Sequence, residues 1–131
     1  MQIDRLDHLV LTVADIPTTI SFYCDILGMN KETFGENRVA LTFGSQKINL
    51  HQKGHEFEPK AHAPTCGAMD LCFVVTDPLH AVIDHLTASK VEIIEGPIQR
   101  TGALGPIQSV YIRDPDQNLI ELSTYEIEGK T

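Results

Sequence analysis

The chain is short of positive charge. Ten Lys and Arg stand against 18 Asp and Glu, a formal net charge of −8 at pH 7. No basic patch stands out, which argues against a phosphate-backbone partner, so no nucleic acid is expected. Long hydrophobic runs are also missing. The first apolar stretch, Leu9 to Val13, is too short for a secretory core or a membrane span. No membrane partner and no signal peptide are expected. Cysteine is scarce: Cys24, Cys66 and Cys72 make an odd set without a Cys-x-x-Cys pair. That fits reduced thiols in a cytoplasmic protein, with Cys24 and Cys72 as packing residues. What is present is ordinary for a globular chain: 131 residues, 42% hydrophobic and 21% charged. This suits one domain, or two small modules sharing a core, and not a disordered chain.

The chain repeats itself. His8-Leu-Val-Leu-Thr-Val13-Ala-Asp15 parallels Asp70-Leu-Cys-Phe-Val-Val75-Thr-Asp77, an offset of 62 residues from His8 to Asp70. Each segment reads as a strand followed by an N-cap aspartate. Ile48-Asn49-Leu50 parallels Ile120-Glu121-Leu122 at an offset of 72 residues. The second half therefore carries about ten extra residues, placed at Gly96 to Pro106 because of its glycines and prolines. In the first half, a strand at 6–13 precedes a helix capped by Asp15, with Pro17 in its first turn and Gly28 at its end. Strands near 30–34, 38–43 and 46–52 follow, separated by turn residues. In the second half, a strand at 69–76 leads to a helix opened by Asp77-Pro78, then strands near 91–95, 107–113 and 118–125. The expected fold is α+β: two βαβββ modules, 5–52 and 68–125, joined by a polar linker at 53–67. The modules are expected to pair into a cup-shaped eight-stranded mixed sheet.

Alternation along four strands carries the functional reading. His8 faces away from Leu9, Leu11 and Val13. Asn49 and His51 oppose Ile48 and Leu50. Asp70 opposes Leu71 and Phe73, and Glu121 opposes Ile120 and Leu122. If the halves pair, these polar groups converge on one surface. Carboxylates and imidazoles are costly to bury unpaired, and a divalent ion offsets that cost. His, Asp and Glu suit Zn, Ni, Mn, Co or Fe. The plainer reading leaves His8 and Asp70 in water at strand ends and pairs Glu121 with Arg5 or Arg113.

Three segments in order carry a resemblance: Leu6-Asp7-His8-Leu9-Val10-Leu11-Thr12-Val13, Phe22-Tyr23-Cys24-Asp25-Ile26-Leu27-Gly28-Met29, and Arg113-Asp114-Pro115-Asp116-Gln117-Asn118-Leu119-Ile120-Glu121-Leu122. Together the chain resembles the vicinal-oxygen-chelate superfamily of glyoxalases, bleomycin-resistance proteins and extradiol dioxygenases, over about residues 5–125. Gln46 to His51 with Gly54 to Lys60 is similar to the glyoxalase-domain-containing protein 5 branch and to bacterial glyoxalase-like virulence proteins. The resemblance implies His8 and Glu121 as first-strand and last-strand metal ligands. It places Asp70 where the fifth-strand ligand is usually histidine, a departure that shifts preference toward harder ions such as Mn or Fe. The fourth-strand ligand is His51 or Asn49.

Three classes of function follow. The first is a metal-dependent enzyme that chelates a small oxygenated substrate through two oxygens. Within it a glyoxalase-like lyase or isomerase leads, with Glu121 or His51 as base, and an extradiol-type dioxygenase is the alternative. Arg100, in a Gly-rich loop read as a lid, is expected to hold a substrate carboxylate. Tyr111 and Asn49 are the other substrate-binding candidates. The second class is a metal-free small-molecule binding or resistance protein. The third, thiol transfer to an anionic drug, is disfavoured by the few basic residues. A homodimer is expected, because two curved sheets leave edges to cover.

Overall fold

Period-two hydrophobicity with two helical interruptions produces the expected α+β architecture. The computed structural model describes residues 1–125, and the chain divides into two compact units, Met1–Ala68 and a second beginning at Met69. In the first unit, β1 (His8–Val13) is followed by α1 (Ile16–Ile20) and a π-helical segment, Ser21–Ile26. Then come β2 (Asn30–Phe34), β3 (Arg38–Phe43) and β4 (Gln46–Gln52). The second unit runs β5 (Asp70–Val74), α2 (Leu79–Ala88), β6 (Glu95–Gly102), β7 (Gly105–Arg113) and β8 (Leu119–Tyr125). Each unit holds one four-stranded mixed sheet, ordered β1-β4-β3-β2 and β5-β8-β7-β6. In both, the first strand pairs parallel with the last and the remaining pairs are antiparallel.

One face of each sheet is apolar. Leu11, Val13, Leu41, Ile48 and Leu50 are buried in the first unit together with Tyr23, Thr19 and Met29. Val110, Ile112, Ile120 and Leu122 are buried in the second with Val82 and Leu86 of α2. Each fully buried aliphatic side chain stabilises its unit by about 1.5–3 kcal/mol.

Local polar contacts set the registers. Asp15 caps α1, its Oδ2 accepting from Thr18 N at 3.0 Å and from Thr18 Oγ1 at 2.5 Å. The side chain of Gln52 accepts from Ile16 N and donates to Ala14 O, tying β4 to the β1–α1 junction. In the second unit, buried Asp114 accepts from the backbone N–H of Asp116 and Asn118, each at 2.9 Å, and from Asn118 Nδ2 at 2.8 Å. Asn118 Oδ1 in turn accepts from Met69 N at 2.9 Å. The Arg113–Asn118 motif is thus a folding device. It starts β8 and clips β5 beside it, in a register that sets Asp70 opposite Leu119 and Cys72 opposite Glu121.

Four expectations need correction. Asp77 does not cap α2; its N-cap is Pro78, which offers no side-chain acceptor. The strand expected near 91–95 lies instead at Glu95–Gly102, so the region read as a lid is a β-hairpin. Arg100 pairs with Ile107 within it. The extra residues of the second half lengthen β6 and β7 and do not form a free loop. Cys72 is exposed and not a packing residue, whereas Cys24 is half-buried.

The Asp15 hydrogen bonds hold its carboxyl below the ordinary 3.8. A depressed carboxyl stabilises the fold above its unfolded value, and that contribution is lost as pH falls through the folded value. Asp15→Ala should therefore lower the melting temperature at pH 7, and the gap to wild type should narrow below pH 3.8. Thermal unfolding at pH 7 and pH 3, read by circular dichroism, checks both.

Candidate functional site

The face of the second sheet turned away from α2 carries a cavity of about 410 Å³. It is lined by Asp70, Ile94, Glu95, Arg100, Tyr111, Arg113, Leu119 and Glu121. Cross-strand register builds it: Glu121 lies opposite Tyr111, and Tyr111 opposite Glu95. Glu121 is held from below. Ser109 Oγ donates to its Oε2 at 2.6 Å and Ser123 Oγ at 3.3 Å, and both serines are fully buried. The two hydroxyls lie 2.6 Å apart, and Cys72 Sγ is 3.3 Å from Ser123 Oγ. Although Cys72 as a residue is exposed, local desolvation of its sulfur pushes the thiol above its ordinary value, so the cluster presents one carboxylate over neutral groups.

Arg100 is fixed by two side-chain partners, with a longer contact from Nη1 to Gln99 O at 3.4 Å. Its Nε donates to Tyr111 Oη at 3.0 Å and its Nη2 to Glu95 Oε2 at 2.5 Å. Desolvation raises the Tyr111 hydroxyl above its ordinary 10.0, partly opposed by the Arg100 hydrogen bond. Tyr111 is therefore a neutral phenol at neutral pH. The pocket combines carboxylates, two guanidinium groups and a phenol, the mixture that orients a small polar ligand.

The first sheet has its own set on the face opposite α1. His51 is 3% exposed and Asn49 6%. His51 Nε2 and Asn49 Oδ1 are buried without a hydrogen-bond partner. Desolvation lowers the His51 pKa from the ordinary 6.5, with Arg38 adding to the shift. A neutral imidazole with an unengaged nitrogen is the form that ligates metals. His8 is exposed at the start of β1, and its Nδ1 lies 2.7 Å from Asp7 Oδ2. A carboxylate on one ring nitrogen fixes the other as the donor, the usual arrangement behind a ligating histidine.

The sequence-derived candidates therefore fall on two sheets: His8, Asn49 and His51 on the first, Asp70, Arg100, Tyr111 and Glu121 on the second. Among the described residues, no group of three or more His, Cys, Asp or Glu is gathered as a metal site. The donors nonetheless fit a divalent ion by type: an unengaged buried imidazole, a carboxylate-backed histidine, and a carboxylate oriented by two serines. Alternation along the strands did not reveal Ser109 or Glu95, whose roles depend on register between strands. Ser123 shares the face of Glu121 by alternation, and Arg113, an ion-pair partner of Glu121 in the plainer reading of the sequence, lines the pocket instead.

Comparison with known proteins gives the class. The family model of the glyoxalase/bleomycin resistance protein/dioxygenase superfamily matches residues 5–122. Virulence protein STM3117 of Salmonella typhimurium is 58% identical over 95% of this chain and 87% of its own length. Its crystal structure superposes with a TM-score of 0.95, covering 96% of this chain and 100% of that one. The glyoxalase domain-containing protein RDO1 of Mycosarcoma maydis is 56% identical over 96% of this chain and 71% of its own length. The metallothiol transferase FosB of Staphylococcus epidermidis is 30% identical over 95% of this chain and 84% of its own length. The chain belongs to the glyoxalase/bleomycin resistance protein/dioxygenase superfamily. Among the described residues, no helix is long and apolar enough to cross a membrane.

Proposed function

We propose that this protein is a metal-dependent enzyme acting on a small substrate with two adjacent oxygens, a glyoxalase-like lyase or isomerase. The observation that carries the reading is Glu121: a carboxylate anchored by two buried serines at the floor of a pocket that also holds an immobilised Arg100–Tyr111 pair. His8, His51, Asp70 and Glu121 are the residues that would hold the ion. When bound, the ion supplies Lewis acidity toward two neighbouring substrate oxygens. Arg100 binds a substrate carboxylate, and the Tyr111 phenol donates to a substrate oxygen. Asn49 accepts a hydrogen bond from the substrate. With Glu121 Oε2 held by the serines, Oε1 takes the proton from the oxygen-bearing carbon next to the substrate carbonyl, the C–H electron pair passing to the carbonyl oxygen, and returns it to the former carbonyl carbon.

The decisive measurement is metal content of the purified protein, followed by calorimetry with Mn, Fe, Ni, Co and Zn. Binding of one ion per site, lost in Glu121→Ala, supports the reading. No binding of any of the five ions removes it and leaves a metal-free binding protein.

We also propose a cytoplasmic homodimer, because the sheets end on β1 and β2 and on β5 and β6, and sheet edges are normally covered. Sedimentation of a single species at the 14.5 kDa chain mass would contradict it. Mixing a His8→Ala chain with a Glu121→Ala chain then reports on the donors. Metal binding regained in the mixture means that two chains share a site, and none regained means that each chain builds its own.

A further inference from the structure

The first sheet carries a cationic and aromatic group that the metal reading leaves unused. Phe34 ends β2 directly opposite Arg38 of β3. Arg38 Cζ lies 5.2 Å from the Phe34 ring centroid and 4.7 Å from that of Phe57. Lys47 Nζ, reaching from β4, is 4.1 Å from the Phe34 centroid. Both cationic heads are thus anchored to one ring. Neither Arg38 nor Lys47 takes part in an ion pair among the described residues. Carboxylates outnumber cations in this chain, 18 to ten; Asp7 acts on Lys47 from beyond contact distance and Glu32 lies across Ala40 from Asn49, yet both cations are held against rings and not in direct ion pairs. A ring engages one face of a cation and leaves its N–H groups free to donate.

A second, independent feature lies beside them. Alternation along β4 puts Asn49 on the same face as Lys47, and Asn49 Oδ1 is buried without a partner. A buried acceptor left unmet is destabilising, and a ligand N–H would relieve it. The chemistry required is therefore specific: an anion for Arg38 and Lys47, an N–H close to it for Asn49, and an apolar body for Phe34 and Phe57.

We propose that this face binds the carboxylate end of an N-acyl amino acid or short peptide, with Arg38 and Lys47 on the carboxylate and Asn49 on the amide N–H. The inference rests on the reading of Asn49 as a ligand-binding residue and names a ligand class for this face; the carboxylate assigned to Arg38 and Lys47 is not the one assigned to Arg100.

The test uses the full chain stripped of metal by a chelator, so its failure is separate from failure of the metal chemistry. The probe is N-acetyl-L-phenylalanine, followed by calorimetry and by amide NMR shifts. Saturable binding is expected, with shifts confined to β2, β3 and β4. The neutral probe N-acetyl-L-phenylalaninamide should bind about tenfold more weakly or worse, the loss of one charge-assisted contact. Arg38→Gln and Lys47→Gln should each weaken the acid by a similar factor, and Lys47→Arg should retain it. Asn49→Ala should abolish the preference for N-acetyl-L-phenylalanine over 3-phenylpropionate, which lacks the N–H. No saturable binding at millimolar acid, equal binding of acid and amide, or unchanged binding in the Arg38→Gln, Lys47→Gln double variant each overturns the proposal. Should a variant fail to fold, the acid-against-amide comparison on wild-type protein decides alone.

Discussion

Gly96→Ala is expected to cost about 2–5 kcal/mol of stability and to disturb the candidate site with it. Gly96 has φ of +106°, a conformation that side-chain-bearing residues rarely adopt. A Cβ built there would lie 2.4 Å from Ser109 O and 3.0 Å from Val110 Cα. Both obstacles are backbone, so no rotamer change relieves them. Relief requires β6 to move off β7 at the register shift between Glu95 and Ile98. Ser109 is the donor to Glu121, so the displacement reaches the carboxylate. Gly44→Ala is the matched control: its φ is +52°, but nothing lies within 4 Å of the added atom. That variant should lose only the backbone preference, about 1–2 kcal/mol. Urea unfolding of both variants measures the difference, and equal losses would contradict the steric account.

The same glycine explains where the sequence could be read and where it could not. In the first half, β2, β3 and β4 fall at the expected residues. There the turn residues Asn37 and Gly44 do what turn signals promise, adopting φ of 59° and 52°. In the second half, Gly96, Pro97 and Gly102 carry the same signal for a different reason. Gly96 allows a close backbone approach, and Gly102 lies beneath Tyr125, whose hydroxyl would be 2.6 Å from an added Cβ. Glycine and proline within a strand mark bulges and close contacts as often as loops, and only the partner strand distinguishes them. Strand alternation placed His8, Asn49, His51, Asp70 and Glu121 on faces opposite the helices. It could not say that Asn49 and His51 are buried while His8 and Asp70 are exposed. Nor did a low total of Lys and Arg report local charge: Arg100 and Arg113 line one pocket, and Arg38 and Lys47 meet on one ring. Composition averages over a surface, and a site is a departure from that average.

Replacing Glu121 by Gln should reduce kcat/KM by about 10²–10⁴ while leaving the melting temperature close to that of wild type. Glutamine preserves the volume at β8, and its carbonyl oxygen still accepts from Ser109 and Ser123. The serines are fully buried, so keeping that acceptor avoids stranding two hydroxyls. What glutamine removes is the negative charge and the ability to take a proton. Ser109→Ala acts differently. It keeps the carboxylate but deletes the closer of its two donors, the one at 2.6 Å, leaving Ser123 at 3.3 Å. Glu121 should then be less well oriented, with a loss of about tenfold, the scale of one hydrogen bond. Metal content measured on the same preparations separates the roles. Activity lost with metal retained in Glu121→Gln assigns the proton transfer to Glu121. Activity and metal lost together make it a ligand whose absence empties the site. Full activity in Glu121→Gln would remove Glu121 from the chemistry and shift the base to His51, the other candidate base, whose buried neutral imidazole is already in the form that accepts a proton.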